Sequence, residues 1–170
     1  RDCLLSRGLG DVYKRQIMDI KERVKIAIEK DIISLGYIFW GLEISGNSRS
    51  KLIRLYIDNN DTSINLSDCE KVSNQTMEIL NNSDFLDFNY RLEVSSPGID
   101  RIFFDFNQHK AFLGYQVEIK FMKENIKQTL RGKLVKAEDN LLEIKKHNED
   151  LEKISSSNYL SSKLIYMEQA

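Results

Sequence analysis

The sequence contains very little proline or cysteine, and neither sign of charge dominates it. Among 170 residues there are one proline, eight glycines and two cysteines, and 25 basic side chains nearly balance 26 acidic ones. This balance excludes a histone-like basic coat protein, so any nucleic-acid site must be a local patch. No apolar run approaches the roughly 18 residues that a membrane-spanning helix needs. With 41% hydrophobic residues, the chain can form one domain or two small ones.

Residues 1–16 lack the apolar patterning of the rest of the chain. They resemble translated adapter sequence at the ends of environmental-DNA gene models, so we expect a non-native or disordered tail with Met18 as the start. A native disordered basic arm is the alternative. Without this tail only Cys69 remains, and one cysteine forms neither an internal disulfide nor a zinc site. A reducing, cytoplasmic environment is therefore predicted.

Helical and strand periodicities alternate from residue 17 onwards. Apolar residues recur at steps of three and four from Ile20 to Leu35, which predicts an amphipathic helix, and Gly36 is placed to end it. A period of two follows over 38–44 and 53–57, which predicts two strands.

A second helix and a third strand complete this pattern. Ser67 precedes Glu70 at the spacing of a capping box, which predicts that a helix begins there. Strict alternation over 88–95 predicts a strand with one buried face. The order is α-β-β-α-β, so residues 17–96 are predicted to form an α/β domain whose two helices cover one face of a three-stranded sheet.

The only proline marks the expected domain boundary. Ser95-Ser96-Pro97-Gly98 ends the third strand, and residues 97–101 are predicted to be an interdomain turn. A short helix over 105–113 and four or five short strands beyond Gly114 predict a small β-barrel over 102–170. The fold class is therefore α+β.

Nothing in the sequence favours catalysis, a metal or a cofactor. His109 and His147 are the only histidines; both lie in polar stretches without further ligands at metal-binding spacing, so we expect surface side chains. Cys69 lies on the apolar stripe of its helix, which favours a buried small hydrophobe over a nucleophile.

The charge distribution is more informative. Residues 17–96 carry 9 basic and 13 acidic side chains, whereas 97–170 carry 12 and 11. Within 118–136, cations outnumber acids on two predicted strands and their turn. The candidate ribosome- or RNA-binding residues there are Lys120, Lys123, Arg131, Lys133 and Lys136. Such a patch can contact phosphates, although a solvated strand surface is the alternative.

Leu92-Glu93-Val94-Ser95-Ser96-Pro97-Gly98-Ile99-Asp100-Arg101 closely resembles the signature of the RimP family of bacterial ribosome maturation factors. Three weaker motifs follow the family's order and spacing: residues 68–73, 112–117 and 131–134 resemble its second helix, its entry into the second domain and its barrel hairpin. Ile102 departs from the pattern, since the family commonly has a second proline there.

The resemblance implies an N-terminal α/β domain, a C-terminal Sm-like, SH3-type barrel and a monomeric, non-enzymatic factor. Its partners would be the immature small ribosomal subunit, through a basic ribosomal protein and ribosomal RNA. Asp100 and Arg101 would set the interdomain angle or join the binding surface; a helix cap and a surface ion pair are their alternative roles. The alternative function is a stand-alone Sm-like RNA-binding module that forms a ring.

Overall fold

The computed structural model describes residues 19–166, which divide between Ser95 and Ser96 into two compact units. Both units combine helix and strand, so the chain is an α+β protein, as predicted. No helix in the described residues is long and apolar enough to cross a membrane. The expected tail over 1–16 and the expected start at Met18 lie outside the described residues.

The first unit has the predicted element order. Its elements are α1 (Ile20–Ser34), β1 (Ile38–Gly46), β2 (Ser50–Asp58), α2 (Leu66–Asn81) and β3 (Asn89–Ser95). β1 and β2 form an antiparallel hairpin, whereas β3 pairs with β2 in parallel because α2 carries the chain back across the sheet.

Both helices of the first unit contribute to one core with the sheet. The buried stripe of α1 consists of Val24, Ile28 and Ile32, as its periodicity predicts. The other buried members of this core are Leu42, Ile53, Leu55, Ile57, Val72 and Leu80. Gly36 ends α1 with a φ of +91°, and the Tyr37 N–H donates to the Ile32 carbonyl 3.2 Å away, which is a Schellman arrangement.

The predicted cap of the second helix was wrong by two residues. The Asn65 side chain accepts a hydrogen bond from the Asp68 N–H (3.1 Å), and Asp68 accepts one from the Asn65 N–H (2.9 Å). This is the same reciprocal box built from Asn and Asp, and it begins α2 at Leu66 rather than after Ser67.

The second unit is a six-stranded sheet with one short helix. Its elements are β4 (Ile102–Phe103), a 3-10 helix (Phe106–Phe112), β5 (Gln116–Lys123), β6 (Ile126–Ala137), β7 (Leu141–Lys145), β8 (Leu151–Ser155) and β9 (Tyr159–Ile165). The strand order is β4-β9-β5-β6-β7-β8. Val117, Ile119, Leu134, Leu142 and Ile144 are fully buried on its inner side.

The ladder of this sheet does not close into the barrel that the sequence predicted. Across residues 19–166 no strand pairing joins the edge strands β4 and β8, and β4 is only two residues long. The sheet is nevertheless strongly curled. Lys123 at the end of β5 donates to Glu152 of β8 at 2.6 Å, although β5 and β8 lie three strands apart in the ladder.

Gly132 of β6 permits this curl. A Cβ at this position would collide with the Lys145 carbonyl oxygen and lie 2.7 Å from Cγ2 of Ile144. Only glycine therefore allows the backbone of β7 to approach β6 so closely, and this approach brings the end of β7 beside Arg131 and Lys133.

Candidate functional site

Three of the five predicted binding residues share the outer side of the second unit's sheet. In the antiparallel register of β5 and β6, Arg131 lies opposite Glu118, Lys133 opposite Gln116 and Lys120 opposite Thr129. Side chains alternate along a strand, and the intervening Val117, Ile119 and Leu134 fill the core. Lys120, Arg131 and Lys133 therefore face solvent together.

Glu118 lies at the centre of these cations. Its Oε2 accepts a hydrogen bond from Nε of Arg131 and forms an ion pair with Nη2, both at 2.7 Å. The hydrogen bond from Arg131 lowers the pKa of the Glu118 carboxyl, and the charges of Arg131, Lys163 and Lys120 lower it further, against the opposing effect of desolvation. The carboxylate side chain is 12% exposed and the Arg131 side chain 73% exposed, so the guanidinium remains accessible above the acid that holds it.

Two further lysines join this surface from strands that are distant in sequence. Lys163 of β9 lies opposite Glu118, and Lys145 of β7 lies opposite Lys133. Sequence reasoning missed both, because only the strand order places β9 and β7 beside the β5–β6 hairpin. We call Lys120, Arg131, Lys133, Lys145 and Lys163, together with the central Glu118, the outer cationic face.

The other two predicted residues lie outside this face and have acidic partners. Lys123 shares Glu152 with Lys146, each at 2.6 Å, at the rim of the curled sheet. Lys136 follows a bulge in β6 and pairs with Glu138 at 2.8 Å. Among the described residues, in contrast, Lys120, Lys133 and Lys163 have no ion-pair partner.

Two open hollows flank the Arg131–Glu118 pair. One, of about 470 Å³, is lined by Arg131, Lys133, Lys145 and Lys146, with Gln116, Gly132, His147 and Glu149. The other, of about 230 Å³, is lined by Ile102, Glu118, Lys120, Ser161, Ser162 and Lys163. Both exceed by several-fold the roughly 30 Å³ that one water molecule occupies in the liquid, so each can hold a hydrated anion.

The signature around the proline makes local contacts in the second unit. Gly98 has a φ of +75°, which suits glycine after Ser95, Ser96 and Pro97. Asp100 accepts a hydrogen bond from the Tyr166 N–H at 2.9 Å, just beyond β9, and so acts at a strand end rather than as a helix cap. The Arg101 guanidinium donates to the Gly98 carbonyl at 3.3 Å and lies 5.4 Å from the centre of the Phe112 ring. The interdomain role of these residues stays a prediction.

The prediction that His109 is a surface side chain was wrong, because its ring is fully buried. The 3-10 helix has three residues per turn, so Phe106, His109 and Phe112 share one side, and this spacing is the signal that could have been used. Nε2 of His109 lies 2.7 Å from the Ser162 hydroxyl, and Nδ1 lies 2.8 Å from the Phe106 carbonyl oxygen. Burial lowers the pKa of His109.

The His109 ring has one neutral tautomer that satisfies these contacts. A carbonyl oxygen can only accept, so Nδ1 carries the proton and Nε2 accepts from Ser162, whose oxygen in turn accepts from the Tyr159 hydroxyl at 2.8 Å. The ring also stacks on Phe103, with centroids 4.2 Å apart. Packing and hydrogen bonding are therefore sufficient to explain the buried position of His109. No cluster of metal ligands occurs within residues 19–166.

One comparison with known protein families bears on this geometry. Residues 27–100 match the family model of the RimP N-terminal domain. The matched segment begins within α1, covers β1, β2, α2 and β3, and ends at Asp100 in the signature. It therefore covers most of the described first unit, whereas the outer cationic face lies beyond it.

Proposed function

Because the chain carries a RimP N-terminal domain and so belongs to the RimP family, we propose that it is a maturation factor of the small ribosomal subunit. It acts by binding the immature subunit in the cytoplasm, without catalysis. A factor that binds an assembly intermediate more tightly than the mature particle favours one local arrangement and then leaves. The family match over residues 27–100 is the observation that carries this proposal.

We propose a division of labour between the two parts of the chain. The outer cationic face contacts phosphates of ribosomal RNA, and its alternation of exposed cations with core residues on β5 and β6 supports this role. Residues 17–96 are acidic, with 13 acidic against 9 basic side chains, and would suit a basic ribosomal protein. The curled six-stranded sheet would correspond to the family's Sm-like, SH3-type domain.

Co-sedimentation tests this function most simply. The full chain, mixed with immature small subunits, mature small subunits and large subunits at low salt, is expected to pellet preferentially with the immature small subunits. Equal recovery with large subunits would contradict the proposal. Light scattering of the free protein adds a check, because an assembly factor of this kind is expected to be a monomer, whereas a ring would favour the stand-alone RNA-binding module.

A further inference from the structure

The outer cationic face contains an arrangement that costs stability. Lys133 and Lys145 lie directly opposite each other on neighbouring antiparallel strands. Like charges in this position destabilise a sheet, and of the two lysines only Lys145 has a carboxylate partner among the described residues, Glu149, across the following turn. A purely structural surface would place an acid at one of these positions, so the pair indicates an external anion.

The chemistry of the two hollows favours nucleic acid over protein. Protein–protein interfaces have apolar, often aromatic, centres, whereas nucleic-acid interfaces are polar and strongly positive. Among the described residues, no Phe, Tyr or Trp lines either hollow, and Ile102 is the only large apolar side chain there. Within residues 19–166, His147 is the only ring that lines either hollow, whereas lysines line both, so the contacts fit the phosphate backbone of folded RNA better than the stacked bases of a single strand.

Glu118 separates the two hollows and occupies the position that an anion would take between them. Its carboxylate holds Arg131 from below while most of the arginine side chain is exposed above. An approaching phosphate can therefore reach the guanidinium without first uncovering it, but it competes with Glu118 for the same positive charge.

We propose that the two hollows are phosphate subsites for the backbone of a structured RNA, and that Glu118 is a built-in counter-charge that limits its affinity. This inference rests on the proposed function for its biological partner, although the binding itself can be measured without ribosomes. A moderated affinity suits a factor that has to leave its particle. Lys163 supplies the subsite on β9, and Lys133 with Lys145 supplies the one between β6 and β7.

The test measures binding of the full chain to a fluorescently labelled RNA duplex by anisotropy over a range of salt concentrations. Each phosphate contact contributes about one unit to the slope of log K against log salt concentration. Loss of one such contact therefore weakens the affinity about tenfold at about 0.1 M salt. Lys163→Ala is expected to weaken binding about tenfold and to reduce the slope by about one. Glu118→Gln is expected to tighten binding about tenfold.

Glu143→Gln is the matched control, because Glu143 is a similarly covered carboxylate, 16% exposed and paired with Lys153, on β7 of the same sheet. It raises net charge equally and lies on the same outer side of the sheet, but it is paired with Lys153 rather than with a cation of the outer cationic face, so a change below about threefold is expected. Equal tightening by both glutamate variants would overturn the inference in favour of net charge alone. Unchanged duplex binding in Lys163→Ala and Glu118→Gln, each folded by circular dichroism, would also overturn it.

A protein partner for this face would give a different pattern. In that case Lys163→Ala would reduce co-sedimentation with immature small subunits while leaving duplex binding unchanged, which overturns the RNA assignment but keeps the proposed function. Failure of the unaltered chain to prefer immature small subunits, with duplex binding as expected, would contradict the proposed function and leave the phosphate subsites standing.

Discussion

Polar side chains are arranged in opposite ways on the outer face of the six-stranded sheet and in the interior that the sheet encloses. In the interior, His109, Ser162 and Tyr159 satisfy one another through two hydrogen bonds. On the outer face, cations surround one acid, and two lysines lie opposite each other. The difference shows that the interior is arranged for stability, whereas the outer face departs from it in the way that functional surfaces commonly do.

Enlarging Gly132 is expected to have the largest effect on this contrast, because Gly132 joins the two regions. In Gly132→Ala the new Cβ collides with the Lys145 carbonyl and crowds Ile144 in the core. We expect a loss of about 1–3 kcal/mol in the free energy of unfolding, as for an overpacked core, measured by urea denaturation. Thr129→Ala, on an exposed position of the same strand, should change it by less than about 0.5 kcal/mol. Equal stability of Gly132→Ala and the unaltered chain would contradict the close approach of β6 and β7.

A smaller effect is expected from protonation of His109. Burial lowers its pKa below the ordinary 6.5, so the unfolded chain takes up the proton first. Stability from this group is therefore complete above about pH 6.5 and decreases as the pH falls below it, by at most about 1.4 kcal/mol per pH unit.

Urea unfolding between pH 7.5 and 5.5 measures this dependence. The carboxyl groups with lowered pKa, such as Glu118, titrate at lower pH and add little in this window. His109→Gln should remove most of the dependence, whereas His147→Gln should keep it, since His147 is exposed. The same pH dependence in both variants would contradict the buried neutral ring.

Local periodicity was sufficient to predict much of the fold. The stripe of α1 and the strict alternation before Ser95 depend on neighbours within one element, so these elements could be predicted from the sequence. The Asn65–Asp68 cap was missed because it does not have the Ser/Thr and Glu of the usual capping box. His109 was missed because a 3-10 helix has a period of three rather than 3.6.

The candidate site could be predicted only in part. Lys120, Arg131 and Lys133 belong to one hairpin, so a count of charges along the sequence found them. Lys163 joins them only through the β5–β9 register, from thirty or more residues away. Lys123 lies outside the outer cationic face, because the curl of the sheet brings Glu152 to it. The strand order and the curl of the sheet determine which of these cations have a carboxylate partner. Patterns along a single sequence do not encode either property.

The substitutions with the smallest expected effect on the fold give the most direct test of the central claim. This claim is that unpaired cations of the outer cationic face bind the immature subunit. Lys133→Ala and Lys136→Ala remove the same charge from one strand, but of the two only Lys136 has an ion-pair partner within residues 19–166, which is Glu138. Co-sedimentation with immature small subunits at about 0.1 M salt should weaken about tenfold for Lys133→Ala and by less than about threefold for Lys136→Ala. Equal loss in both variants, or a larger loss for Lys136→Ala, would contradict the account.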